Sequence, residues 1–389
     1  MDSVPAGSDI ITRNLRTVTA HEQACAPPRA AYNDLMHGKP VTPSRSHLVW
    51  FLAAASLVGC GSGDRLSLRV ELGTRGLSKL PFVIAYDQGL YEKHGLDVEL
   101  FMPPPEFDDG IEARRGYLTR YGFRKAKPVD IVVDGATPMM VDTATNAKAT
   151  RQIVLASTDC VVRSHIIGQK GVSTLEELKG KRIGISAHVR TTTSFVALLL
   201  AQRMGWDPTQ DISLLRNGWK LDSLEAGKVD AIVANERTFA AAHEEGFPIL
   251  ADTRTWNEAI AGNSVRVEPE WLEQGQNREA ARRFLKASIE GIAVFHNQPD
   301  IALDVLARWH GIVDEETAQA VYARGATIPA KPFPCYDGIR KTMELYDSNE
   351  MRRYVPEDFY DDSLLRELDE SGFIAALYEP SSDDESISP

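Results

Sequence analysis

An α/β fold of two lobes, each a mainly parallel sheet flanked by helices with a cleft between them, is predicted by three features of the sequence. The chain has 389 residues, long for one hydrophobic core. Beyond residue 66, strand-like and helix-like segments alternate with short connections, the pattern of βα units. The stretch Thr174–Asp207 shows one such unit in full. It reads as a short helix, a buried strand (Arg182–Ser186), a hydroxyl-rich loop (Ser186–Thr193) and a long apolar helix ending at Gly205. At such a junction free backbone N–H groups and the helix dipole point into a crevice, where small ligands bind.

Composition narrows the partners. A hydrophobic content of 43% with 25% charged residues supports a real core. The net charge of −12 would be repelled by phosphates, and no basic stripe offsets it, so nucleic acid is excluded as a partner. Cys25, Cys60, Cys160 and Cys335 have no CxxC-type spacing, which argues against a zinc site, and no metal or cofactor is expected. Cys160 and Cys335 are read either as two buried thiols or, in an oxidising compartment, as a pair.

The amino-terminal 59 residues read as a signal segment with an extension, the natural start being Met36. Leu48–Gly59 is an apolar run of twelve residues behind Lys39 and Arg45. That length suits the core of an export signal and falls short of the roughly 18 needed to span a bilayer. The run ends in Leu57-Val58-Gly59-Cys60, which resembles the bacterial lipobox, and that likeness implies acylation of Cys60. Residues 60–65 then form a short lipid-anchored tether.

Leu66–Leu72 alternates apolar and polar residues, as a strand does. Pro81–Lys93 has helical spacing with proline in its first turn, and Gly95 stops it before strand Leu96–Met102. Phe107–Lys127 is a charged insertion. Strand Val129–Asp134 turns at Gly135 into a helix reaching Asn146, with Thr137 as the expected N-cap ahead of Pro138. Arg151–Ser157 and Val161–Gln169 follow as strands, the second leading into the other lobe. There the strands Ile212–Leu215, Val229–Ala234 and Pro248–Leu250 alternate with helices from Leu221 and Arg237. Asn263–Val267 is a return strand, followed by Pro269–Leu272 and the long helix Arg278–Asn297. Helices Ile301–His310, Glu315–Arg324 and Tyr336–Tyr346 cover the surface, Phe359–Leu368 closes the fold, and the Ser- and Asp-rich tail from 379 is expected to be disordered.

LPFVIAYDQGLYEKHGLDVEL (Leu80–Leu100), LEELKGKRIGIS and DSLEAGKVDAIVANE (Asp222–Glu236) resemble solute-binding proteins of ABC importers of the nitrate/sulfonate/taurine and thiamine-precursor type. In the first segment the match rests on Ala85, Gly89, Tyr91, Gly95, Leu96 and Val98. The resemblance implies a periplasmic-binding-protein type II fold. It places lobe 1 at 66–165 with 265–378 and lobe 2 at 166–264. It also implies a monomeric lipoprotein in the bacterial periplasm or on the outer cell surface. Such a protein delivers a small solute to ABC permease and ATPase subunits.

In that family the strand-to-helix loops face the cleft. Candidate ligand residues are Ser78, Lys79, Gly135 and Thr137 from lobe 1, and Ser186, His188, Arg190, Thr191, Trp219, Asn235 and Glu236 from lobe 2. Arg190 and His188 suit an anionic head group, with the helix amino terminus behind them. Trp219 supplies an aromatic wall, whereas Glu236 favours a cationic solute, so sulfonate, nitrate and pyrimidine- or amine-like solutes all stay open. Enzymes on the same fold are the alternative, desulfinase-like or thiamine-pyrimidine-synthase-like, as is a ligand sensor. Against an enzyme, Gly76-Leu77-Ser78 has no cysteine where the sulfinate-cleaving relatives carry one, and no cysteine cluster or GxSxG elbow is present.

Overall fold

A computed structural model describes residues 65–74, 76–102, 128–186 and 190–379, apart from the side chains of 236, 237 and 240. The signal segment, the lipobox Cys60, the insertion Phe107–Lys127, His188 and the tail beyond 379 lie outside the described residues.

Among the described residues ten strands form two five-stranded sheets. The first has the order β2-β1-β3-β10-β4, from β1 (Leu66–Leu72), β2 (Leu96–Phe101), β3 (Ile131–Gly135), β4 (Ile153–Ser157) and β10 (Asn263–Val267). The second has the order β7-β6-β8-β5-β9, from β5 (His165–Gly168), β6 (Lys181–Ile185), β7 (Ile212–Arg216), β8 (Ala231–Ala234) and β9 (Ile249–Asp252). Each sheet has one reversed strand, β10 in the first and β5 in the second. These are the strands through which the chain enters each sheet from the other.

That reversal decides where the crevice lies. β4 ends at Ser157 and β10 begins at Asn263, beside the carboxyl end of β3. β5 begins at His165, opposite Ala234 and Asp252, the last residues of β8 and β9. The two crossovers, 158–164 and 253–262, therefore run from one carboxyl edge to the other. They lie side by side, with Val162 N–H donating to Glu258 O (2.9 Å) and Ile260 N–H to Cys160 O (3.1 Å). Gly262 lets them approach so closely, since a Cβ there would stand 2.1 Å from the Asp159 carbonyl oxygen.

Helices cover both faces of each sheet, as the near-continuous apolar strands require. On the first sheet, helix α1 (Leu80–Asp87) packs with β1–β3 and Phe284, and Phe284 stacks on Phe82 and Tyr91. On its other face lies α3 (Ala136–Thr145), through Met139, Met140 and Val141. The second sheet carries α4 (Thr192–Met204), whose Phe195, Val196, Leu199 and Leu200 are buried.

Three boundaries differ from expectation. The helix expected over Pro81–Lys93 breaks at Gly89, which takes φ +69°, and resumes as α2 (Leu90–Lys93). The strand expected over Val161–Gln169 narrows to His165–Gly168, because its first residues serve the crossover. Gly135, not Thr137, caps α3: the chain turns one residue after β3, which leaves Thr137 inside the first helical turn.

Cys160 and Cys335 form a disulfide, with Cα atoms 5.3 Å apart, so the reading of two separate buried thiols does not hold. The bridge ties the outgoing crossover to the start of helix α11 (Tyr336–Leu345). Sequence spacing carried no sign of it, since 175 residues separate the two.

Candidate functional site

The carboxyl edge of the first sheet is built from buried polar groups. Lys79 is 3% exposed. It follows Leu77 and Ser78 in a tight turn and reaches back, its Nζ donating to Thr74 Oγ1 (2.6 Å) and Asp134 Oδ1 (3.1 Å). Burial pushes its ammonium below the usual lysine value, and Asp134 opposes that shift. Arg266 lies behind the same carboxylate, because β10 pairs Arg266 with Val132 and Ser264 with Asp134 on one face of the sheet. Its Nη1 donates to Gly135 O (3.0 Å), while its Nε is buried with no hydrogen-bond partner among the described residues. Burial lowers its pKa too, with Asp134 and Glu71 opposing.

On the crossover side, Ser78 O accepts from Thr158 Oγ1 (2.7 Å) and from Asn263 Nδ2 (3.2 Å). Asn263 Nδ2 also donates to Thr158 Oγ1 (2.8 Å), which orients the amide so that Oδ1 faces away, buried and without a partner among the described residues. A buried polar atom left without a partner costs on the order of 1–3 kcal/mol. Such atoms at a strand edge are the groups a bound solute can satisfy.

The second sheet presents hydroxyls. Ser186 N–H donates to Thr193 Oγ1 (2.9 Å), and the Ser186 and Thr193 hydroxyls lie 2.7 Å apart. Thr191 is the N-cap residue of α4 and lies 2.9 Å from Thr193 Oγ1, so these hydroxyls form one cluster over the helix amino end. Trp219 is half-buried and belongs to none of the apolar clusters. Its loop is laid over β6 by Asn217 and Gly218, whose N–H groups donate to Ser186 O and Ile185 O. That needs Gly184, where a Cβ would stand 2.0 Å from Gly218 O. Asn235 is exposed and caps α6 (Glu236–Glu244), its Oδ1 accepting from Thr238 N–H at 2.9 Å. Glu236 opens that helix.

Two candidates change role. Thr137 is wholly buried, and its hydroxyl lies within hydrogen-bonding reach of Ala261 O (3.1 Å) and Thr342 Oγ1 (3.0 Å). It fastens α3 to the return crossover and to α11, with no face toward the crevice. Arg190 pairs with Asp142, two turns along α3, and so joins the second sheet's loop to a helix of the first. Sequence reading missed Thr74, Asp134, Thr158, Asn263 and Arg266. The visible signals were a carboxylate ending the VDIVVD strand and a polar residue opening NSVRV.

Two α/β lobes whose carboxyl edges share a pair of crossovers, with polar loops gathered at those edges, define the architecture of a periplasmic binding protein. Residues 132–302 match the family model described as NMT1/THI5 like. The periplasmic nitrate-binding protein NrtA of Synechocystis PCC 6803 superposes with a TM-score of 0.56 at 13% identity, covering 81% of this chain and 91% of that one. A putative periplasmic sulfonate-binding protein, SsuA of Methylobacillus flagellatus KT, gives 0.56 at 14%, covering 80% and 96%. A curated relative, the nitrate import ATP-binding protein NrtC of Synechocystis sp. PCC 6803, is 26% identical over 231 residues, 54% of this chain. The match spans about a third of that relative's length (33%).

Proposed function

We propose that this chain is an extracytoplasmic solute-binding protein that captures a small solute between its lobes and delivers it to the permease and ATPase of an ABC importer. The observation that carries the reading is the placement of both carboxyl edges on one pair of crossovers, so that closure about them brings Ser78 and Asn263 toward Ser186, Thr191 and Trp219. The names of the relatives, nitrate- and sulfonate-binding, support a compact oxyanion as solute. The amino end of α4 suits one. In this reading the lobes are those expected, 66–165 with 265–378 and 166–264, with the boundaries moved by one or two residues so that His165 goes with β5 in lobe 2 and Asn263 and Ser264 go with β10 in lobe 1, and the chain is a monomer. No chemical step is assigned to it. Cys160 and Cys335 are bonded to each other, so neither offers a thiolate for covalent catalysis.

A thermal-shift screen with nitrate, sulfonates, bicarbonate, pyrimidines and amines tests this. A true ligand at 100 times its dissociation constant adds about 2.7 kcal/mol of stability, enough to raise the melting point by several degrees. No shift across the whole set, or turnover of any member, would overturn the reading.

The location is proposed on two grounds. A disulfide persists in an oxidising compartment, and the lipobox-like Leu57–Cys60 stands at the end of an export-type segment. The anchor proposed is an acyl group on Cys60, on the lipobox resemblance. Among the described residues no helix is long and apolar enough to cross a membrane. Mass spectrometry of the membrane fraction is expected to find a mature amino terminus at a lipid-modified Cys60. An intact chain upstream of that residue would remove the lipoprotein assignment.

A further inference from the structure

Helix α11 belongs to the first lobe and leans on the second. The Cys335–Cys160 bridge and the contact of Thr342 with Thr137 of α3 fix it from the first-lobe side. At its other end Leu345 and Tyr346 pack against the apolar cluster that holds Phe195 and Leu199 of α4. A polar network joins α11 to the last turn of α4. Lys341 Nζ donates to Gln202 Oε1 (2.9 Å) and to Glu344 Oε2 (3.2 Å), and Gln202 Nε2 donates to Glu344 Oε1 (2.6 Å). The Gln202 amide can sit only this way round, since an ammonium donates and a carboxylate accepts. Arg203, the next residue of α4, donates from Nη1 to Glu258 Oε1 (3.0 Å) and lies over the Trp256 ring (5.0 Å), both in the return crossover. Lys341 Nζ stands 3.9 Å from Glu258 Oε2, which makes the two halves one network.

The network is remote from the crevice. At 1.5 Å per residue, Gln202 lies about 15 Å along α4 from Thr192 at the crevice end. That end is tied separately, through Arg190 to Asp142 of α3. The network is also a poor fastener. The Arg203 and Glu344 side chains are 41% and 56% exposed, and Gln202 is exposed as well. Exposed ion pairs add little to folding stability and weaken with salt. An interaction of that size is nevertheless enough to bias two lobe positions of similar energy, because only its difference between the two positions counts.

We propose that this network is a regulatory latch, in which ionic contacts remote from the crevice hold the lobes at the separation seen here. Helix α4 moves with the second lobe and α11 with the first. A rotation about the crossovers that changes the width of the crevice therefore carries Gln202 past Lys341 and Glu344 and parts the latch. The proposal rests on the reading of the chain as a two-lobed solute-binding protein and adds a control on its crevice. Whatever loosens the latch changes the share of chains at each lobe separation, and ionic strength does so directly.

Distances between the lobes, read by double electron–electron resonance without solute, test this. Nitroxides go on Glu92→Cys of α2 and Lys228→Cys ahead of β8, both exposed positions. The full chain carries Cys25→Ser and Cys60→Ser in addition, since Cys160 and Cys335 are bonded to each other and take no label. With the network intact, one separation should dominate at about 0.05 M salt, and the minor one should rise severalfold at about 0.5 M, where screening acts over a few ångströms. Lys341→Met should show that rise already at low salt and respond less to added salt. Arg340→Met removes the same charge from a neighbour that pairs with Asp337 outside the network, and should behave as the intact chain does. Urea midpoints should agree among all three. Unchanged distances in Lys341→Met, an equal shift in Arg340→Met, or a salt-insensitive intact chain would each overturn the latch. A collapsed urea midpoint in Lys341→Met would make the network a structural fastener and overturn it as well. No solute enters this measurement, so a negative solute screen fails the binding reading alone, and these outcomes fail the latch alone.

Discussion

Replacing Cys160 and Cys335 together by serine is expected to lower stability by about 3–5 kcal/mol. The pair closes a loop with a sequence separation of 175 residues. Constraining a loop of that length in the unfolded chain is worth about 5 kcal/mol in the loop-entropy account, and measured losses on removing native disulfides run at about 2–5 kcal/mol. The site adds a local reason: the bridge fastens the outgoing crossover to the start of α11, so its loss removes that tie. Guanidinium denaturation of the oxidised wild type, the reduced wild type and the double variant is the measurement. The last two should share a midpoint well below the first. Equal midpoints for all three would mean that the bridge contributes nothing to stability.

Gly338→Val is expected to be strongly damaging although it removes no interaction. In α11 a Cβ at Gly338 would stand 2.1 Å from the Ile260 carbonyl carbon and 2.2 Å from its oxygen, both backbone atoms of the return crossover. Neither can turn aside as a side-chain tip does, so the helix has to lift. Its other attachments resist, through the Cys335 bridge at one end and Thr342 Oγ1 against Thr137 Oγ1 (3.0 Å) one turn on. Overpacking of this kind costs about 1–3 kcal/mol, with a few tenths more for a β-branched residue in a helix. Because the struck element is the crossover, the affinity for whichever solute the shift screen identifies should fall along with the denaturation midpoint. An unchanged midpoint would show that α11 is free to move, and would remove it from the account of how the lobes are joined.

Much of the fold was legible because it is local. Strand and helix periods, the prolines in first helical turns and the stops at Gly95 and Gly205 are written within a few residues of where they act, and the elements appeared within a few residues of expectation. Where expectation slipped, a backbone detail was responsible, as at Gly89 with φ +69° and at Gly135, which caps two residues before the expected Thr137. The candidate site was only half legible. Loops at strand ends could be named from order alone, so Ser78, Ser186, Thr191 and Trp219 were within reach. Whether a side chain in such a loop meets solute or protein depends on what packs against it from elsewhere. Lys79 looks exposed in sequence, and lies buried against Asp134, 55 positions away.

What the sequence by itself determined was the alternation of strands and helices, the division into two lobes and the set of loops from which a binding site can be drawn, since each follows from local period and short-range turn chemistry. The tertiary structure alone decided that Cys160 meets Cys335, that Arg190 reaches Asp142 across the lobes and that Thr137 fastens helices together. The physical reason is range. Those partners are brought together by the reversed strands β5 and β10 and by the packing of α11, and no spacing within the chain records a contact made that way.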